Sequence, residues 1–295
     1  MTRVLRCDRV LDETIPTLTN LPFWEDDKPL DYVIPPRAGW VVSPIIFIHL
    51  RIQLRKRNLL TGAIAPLELG DRAAIINFPA SSIWRIAEIY FNQFQISSQN
   101  SAQMYFNYLR ALIEFPNEVR AGFLAQSALW YPDTPTHFDS LDAMVNTGFL
   151  NRSIPFVDEH IVELYAPLMF EIFRQPNPLP DDITLHMRLH RNNIRVCING
   201  APEANHTFEL GIHKADLCIT RHHPVDRYRS PGGELYFPIH TADSRYFVLP
   251  QVIFSHVDKN FFLKILFVIS LILFFIFREM HPSVWTSSKA YYQRC

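Results

Sequence analysis

Ile46-Phe47-Ile48-His49-Leu50-Arg51-Ile52-Gln53-Leu54-Arg55 decides the fold class, because its side chains divide by parity. Ile46, Ile48, Leu50, Ile52 and Leu54 fall on one parity, and His49, Arg51, Gln53 and Arg55 on the other. Successive side chains of a strand point to opposite faces, so Ile46 to Arg57 reads as a half-buried β-strand with an aliphatic inner face. A later stretch obeys the same rule. Ile183, Leu185, Met187 and Leu189 alternate with Thr184, His186, Arg188 and His190, which predicts a second strand with one apolar face.

Working outward, 73–96 is rich in β-branched and aromatic residues, and Asn92-Gln93 supplies a turn within it. Residues 161–173 are dense in apolar side chains, and 194–198 and 206–221 read as further strands, the last carrying Phe208, Leu210 and Ile212 at period two. Before the first strand, Pro16, Pro22, Pro29, Pro35, Pro36 and Pro44 favour an extended arm with strand fragments over 1–44. The period changes in the middle of the chain. Tyr105, Leu109, Leu112 and Ile113 recur every three or four residues, with Ser101 as a candidate cap, predicting a short amphipathic helix that ends before Pro116. A second helix is expected over Val119 to Leu129, closed at Tyr131-Pro132-Asp133, and then a long loop over 132–156. Strands around a central helical insertion define a mostly β protein built as a β-sandwich.

The composition agrees with this and narrows the function. The 295 residues are 48% hydrophobic, enough for a substantial core, and the net charge of −1 argues against a surface made for phosphate backbones. Only nine glycines stand against 22 prolines, which disfavours glycine-rich phosphate loops and suits a loop-rich β protein. Cys7, Cys197, Cys218 and Cys295 include no C-x-x-C pair, so neither a zinc ribbon nor a redox dithiol is expected. Cys197 and Cys218 lie in apolar stretches and read as free thiols. Residues 1–13 lack the apolar run of a secretory signal, and the sequons at Asn151 and Asn205 matter only in a secretory lumen.

Candidate chemistry dissolves under the same reading. His186 and His190 would share a helix face, but on a strand they stand roughly 13 Å apart and cannot easily share an ion. His222-His223 has no carboxylate or cysteine at ligand spacing, and Asp181-Asp182 reads as a turn before a strand. Ser230-Pro231-Gly232-Gly233 is a turn too short to cradle phosphate. Arg51, Arg55, Lys56 and Arg57 read as the solvated face and end of a strand rather than a nucleic-acid site. No hydrolase, metalloprotease, P-loop or dinucleotide motif is present, so no catalytic, cofactor or metal residue is expected.

The stretch from Phe261 to Phe277, FFLKILFVISLILFFIF, is unlike the rest: 17 residues with Lys264 as the only charge. At 1.5 Å per residue it is at the short end for a bilayer core of roughly 30 Å. It reads as a membrane-spanning helix carrying Phe261, Ile265, Phe267, Ile269, Leu271, Leu273, Phe275 and Phe277, with Lys264 snorkelling at one end.

Several phrases in order resemble one family. They are Pro22-Phe23-Trp24, Ile76-Asn77-Phe78-Pro79, Ser82-Ile83-Trp84, and Glu88-Ile89-Tyr90-Phe91-Asn92. Tyr105-Phe106-Asn107-Tyr108-Leu109, Ser127-Ala128-Leu129-Trp130-Tyr131 and Asn146-Thr147-Gly148 follow. Ala166-Pro167-Leu168 and Leu185-His186-Met187-Arg188-Leu189 complete the series. Over residues 20–250 this succession resembles the major capsid (hexon-type) protein of Maverick/Polinton elements and adintoviruses. The resemblance implies a double jelly-roll that forms homotrimers and tiles an icosahedral shell, in a virion for intact relatives, with no specific nucleic acid or small molecule as partner. The matching pattern stops near Pro250, so the expected organisation is the first jelly-roll of a truncated endogenous copy: an arm at 1–44, a jelly-roll β-sandwich at 45–225, a partial inter-domain segment at 226–258, and an apolar helix and tail at 259–295. Asn92-Gln93 stands where relatives tend to carry Asn-Gly. The expected function is structural and self-associating; the alternative is a host membrane-anchored protein whose β-sandwich is an interaction domain.

Overall fold

A computed structural model describes residues 7–224 except 26, 69, 98–102, 139, 176 and 201–204. The apolar stretch 261–277, the segments 226–258 and 259–295, Ser101 and Cys295 lie outside the described residues.

Eight strands make the framework: β1 (Cys7–Pro16), β2 (Leu30–Ile34), β3 (Phe47–Asn58), β4 (Trp84–Phe91), β5 (Phe94–Gln95), β6 (Val162–Pro167), β7 (Leu185–Arg191) and β8 (His206–Pro224). One sheet runs β1-β8-β3-β6 and the other β2-β7-β4-β5, all antiparallel. The pairs β1–β8, β2–β7, β3–β6 and β4–β5 are therefore nested, each enclosing the next, which is the winding of a jelly-roll. Short strands extend this framework: Val41–Val42 on β8, Ile64–Ala65 on β3, and Ile198–Gly200 paired with Ala73–Ile75.

The alternation in β3 and β7 becomes burial. Ile48, Leu50, Ile52 and Leu54 have no exposed surface, and Leu185, Met187 and Leu189 face them from the other sheet with Leu30, Tyr32 and Ile34 of β2. In β8 the parity switches. Ile212 pairs with Ile52 and Lys214 with Arg51, so His213 is the extra residue of a β-bulge. Leu210 and Ile212 are buried before it, and Ala215, Leu217 and Ile219 after it. Tyr32 crosses the core, donating its hydroxyl to Ala215 O at 3.3 Å, and burial holds its phenol well above the usual range.

Between residues 7 and 44, two segments are strands of the sandwich. The prolines stand outside the two strands or at the end of one, leaving 7–16 free to pair with β8 and 30–34 with β7. Residues 194–197 form a helical turn rather than a strand, because the Asn193 side chain accepts from Arg195 N. The stretch 132–156 read as a loop contains a helix, Thr147–Ser153, followed by a 3-10 turn, Ile154–Phe156. Cys197 is buried, its thiol donating to Asn192 O at 3.5 Å; Cys218 is half-buried and in no disulfide, and burial, then the Asp216 charge, push it up.

Candidate assembly site: the helical insertion and its anchor

The insertion lies between β5 and β6, the terminal strands of the two sheets on the same side of the sandwich. It carries α1 (Gln103–Glu114), a helical run α2 over 117–128 that includes a π segment at Arg120–Leu124, and α3 (Thr147–Ser153). α1 packs on β4 and the end of α2 on β6, so the insertion bridges both sheets.

Residues scattered through the sequence converge where the insertion meets the sandwich. Phe78 is buried in a left-handed conformation with φ of 56°, and its ring meets Trp130 edge-on at 5.2 Å. Tyr108 stacks on the other face of the arrangement, 5.0 Å from Trp130 and nearly parallel to it. Asn77 joins the same group twice: Nδ2 donates to Tyr108 Oη at 3.2 Å, and Oδ1 accepts from Tyr131 N at 2.6 Å. Asn107, buried on α1, donates to Ser81 O at 2.9 Å, while Ser81 Oγ donates to Pro167 O at 3.1 Å. The phrases containing Asn77, Tyr108, Trp130 and Pro167 thus form one joint.

A second anchor holds α3. The Asn146 side chain caps the helix by accepting from Phe149 N at 3.2 Å. Gly148 lies against the preceding chain so closely that a Cβ there would sit 2.1 Å from Pro132 O. Arg152, fully buried, donates Nε to Ile75 O at 2.9 Å, Nη2 to Asp133 at 2.7 Å and Nη1 to Tyr131 O. Asn151 of the first sequon is exposed, though Arg152 and Ser153 beside it are buried; Asn205 is exposed as well.

Near the middle of the first sheet, Phe23 forms a bridge with Ile212 and is buried, while Trp24 lies over Gly211, where a Cβ would come within 2.3 Å of the indole. The Arg55 guanidinium sits 3.5 Å from the centre of the Trp24 ring, and Arg191 Nη2 donates to Trp24 O at 2.6 Å. The aromatic pair therefore clasps β8 just beside its bulge.

The sequence candidates for chemistry are dispersed by this geometry. His186 binds Asp31, and His190 binds Glu88 at 3.1 Å, so each imidazole on the outer face of β7 has its own carboxylate and the two are not brought together. Tyr90 donates to Glu88 at 3.0 Å; burial first, and then that bond and charge, push its phenol up. His223 pairs with Asp8, and Asp181 accepts from Gly39 N. The basic cluster on β3 is neutralised: Arg51 pairs with Glu163 at 3.2 Å, Arg55 and Arg57 with Glu209, and Lys56 with Asp71 at 2.8 Å. Burial raises the Glu209 carboxyl, but the hydrogen bonds and charges of Arg57 and Arg55 outweigh it and hold the group below its ordinary value. Burial, with Arg51 and Arg55 nearby, also lowers His213 and favours its neutral form. Among the described residues no group of three His, Cys, Asp or Glu side chains is placed to hold a metal ion. No described helix is long and apolar enough to cross a membrane.

The α1 helix forms where its period predicts, and its apolar set faces outward. Met104, Asn107 and Ala111 are the buried positions, while Tyr105, Leu109, Leu112 and Ile113 face outward. The joint that fixes α1 combines the hydrogen bonds of Asn107 and Asn77 with the stack of Tyr108 on Trp130.

This is a jelly-roll with a helical insertion anchored on one side. Its described form is similar to a chain in the cryo-EM structure of the Sputnik virophage, with a TM-score of 0.51 at 13% identity, over 78% of this chain and 51% of that one. The crystal structure of the mavirus major capsid protein aligns at a TM-score of 0.44 and 14% identity, over 76% of this chain and 48% of that one. The PBCV-1 virus capsid aligns at 0.37 and 15%, over 74% and 44%. This chain spans about half the length of the structures it matches. No protein-family model and no curated protein matches the sequence. At 13% identity the virophage likeness shows the fold alone, a single roll of the kind that the resemblance to Maverick/Polinton capsid proteins implies twice in tandem.

Proposed function

We propose that this chain is a capsid-like structural protein that associates with copies of itself and carries no catalysis. The observation that carries the reading is the eight-strand roll, wound like a chain of the Sputnik virophage over 78% of this sequence. The ion-paired outer faces support it, since their charges are committed to structure rather than to a ligand. The expected unit is a homotrimer, by the resemblance of the sequence to hexon-type proteins. Residues 226–258 are read as the beginning of an inter-domain segment. The test is the mass of the purified full chain by light scattering, with negative-stain imaging. Trimers or larger closed assemblies support the proposal, and a monomer at high concentration overturns it.

One sequence observation favours a second reading, a membrane-anchored protein with the same sandwich as an interaction domain. Residues 261–277 combine 17 positions with a single charge, and a helix there would satisfy every backbone group internally in hydrocarbon. Carbonate extraction of membranes from cells making the full chain decides it. Retention in the membrane pellet is expected for a spanning helix; recovery in the alkaline supernatant, or only in detergent-resistant aggregates, removes the anchor and leaves the capsid-like reading standing.

A further inference from the structure

Of the long strands, β1 is the one least committed to the core of its own roll. Ile15 is its only buried residue, whereas β2 buries Leu30, Tyr32 and Ile34, and β7 buries Leu185, Met187 and Leu189. β1 ends its sheet and is held there by one ladder, to β8, and by three polar ties across it. His223 pairs with Asp8 at 2.8 Å, Thr220 Oγ1 donates to Asp12 at 2.8 Å, and Arg221 Nε donates to Glu13 at 2.6 Å. The edge of β8 is the more demanding partner. Arg221 is only 2% exposed, so without β1 a buried guanidinium loses its carboxylate and the backbone of 216–224 loses its ladder. A buried charge left without its partner is strongly destabilising, so this edge has to be filled. The structure shows what fills it: a strand with acids placed as Asp8, Asp12 and Glu13 are.

We infer that β1 is exchanged when copies of the chain assemble, leaving its own β8 to lie in the same register on the β8 of a neighbour. The inference rests on the self-associating reading above and names the element that joins the copies. A neighbour's β1 carries the same acids in the same order, so every β1–β8 bond broken in one copy is remade in the next. Beyond β1 the chain is pinned to its own roll by Phe23, which bridges to Ile212, and by Trp24 over Gly211. The hinge is therefore 17–21, five residues that span about 17 Å when extended. Its ties to Ala215, Pro29 and Asp31 are what opening costs. Each copy gives one strand and receives one. That relation is head-to-tail, so it closes as a ring of three without requiring a two-fold contact.

Thr14 stands opposite Cys218 in the ladder, and its side chain hydrogen-bonds the thiol. The experiment uses the full chain with Cys7→Ser, Cys295→Ser and Thr14→Cys, assembled, oxidised with diamide and run on a denaturing gel without reductant. Exchange should give covalent dimers and trimers, which disappear when Cys218→Ser is added. The same chain oxidised while dilute and monomeric should form only an internal bond. An internal bond alone in the assembled chain overturns exchange and leaves self-association intact. A second pair of chains decides the matter if no disulfide forms. Glu13→Arg in one and Arg221→Glu in the other each place like charges together within a copy. Exchange between the two sets Arg against Glu at one junction and restores the original pair at another. The co-refolded mixture should therefore melt at a higher temperature than either variant alone, and a mixture no more stable than its components overturns the inference. A wild-type chain that is monomeric at every concentration overturns both it and the reading on which it rests.

Discussion

Leu50→Asp and Leu185→Asp should each abolish the cooperative unfolding transition of the chain, while Arg51→Asp and His186→Asp should preserve it. Leu50 is wholly buried and Leu185 nearly so, on strands β3 and β7 of opposite sheets. A carboxylate placed there has no partner, and its burial costs several kcal/mol. That is a large fraction of the roughly 5–15 kcal/mol by which a folded domain exceeds its unfolded state. Arg51 and His186 stand one residue away on the same strands, facing outward. Their losses are the ion pair with Glu163 for Arg51, and the Asp31 contact and the stack on Tyr90 for His186. Exposed pairs contribute about 0–1 kcal/mol, and the new repulsion between neighbouring carboxylates is of similar size. Urea titration followed by far-ultraviolet circular dichroism separates the two sets. Equal damage from both would overturn the assigned facing of the strands.

Arg152→Met should be the most damaging change in the helical insertion, lowering stability by about 3–5 kcal/mol, the range for breaking a buried ion pair from one side. The guanidinium ties α3 to Ile75 beside the sandwich, and to Tyr131 and Asp133 in the segment after α2. Its removal leaves the Asp133 carboxylate without its arginine and two carbonyls without donors. Arg152→Lys should recover only part of the loss, since one ammonium cannot reach three acceptors in a fixed fork. A thermal midpoint for Arg152→Met close to that of the unaltered chain would show that the network is dispensable.

The sandwich was legible wherever a strand had one wet face. In β3 and β7 the division of Ile, Leu and Met from His and Arg reports burial directly. Legibility failed where the physical cause is non-local. The bulge at His213 shifts the parity of β8 midway, so a period-two reading that begins at Phe208 cannot continue through Ala215. β1 is short of apolar signal and β2 is only five residues long between Pro29 and Pro35, so their pairing with β8 and β7 is what makes them strands. α3 begins Thr147-Gly148 and runs seven residues, too brief for a helical period to declare itself; Asn146 was its one local signal. In α1 the period marked the helix but not which side meets the sandwich, because an apolar stripe states that a face is to be covered without stating by what. The joint around Trp130 was visible as separate phrases, but nothing in a linear sequence says that Asn77, Tyr108 and Pro167 touch the same place.

The nesting of the strand pairs also dictates an order of events during biosynthesis. Closing a loop costs more entropy the longer the loop, and pairings between distant segments form slowly. Phe91 and Phe94, joined by the Asn92-Gln93 turn, can meet as soon as both leave the ribosome. β3 must wait for β6 until the whole helical insertion has been made, and β2 must wait still longer for β7. β1 is synthesised first and satisfied last, since its partner β8 closes the roll. Until β8 has been made the backbone of Cys7–Pro16 is therefore an unpaired strand, able to pair with the same segment of a neighbouring nascent chain. The charges along it, Asp8, Arg9, Asp12 and Glu13, fit that interval: they keep the waiting strand in solution until its own β8 arrives.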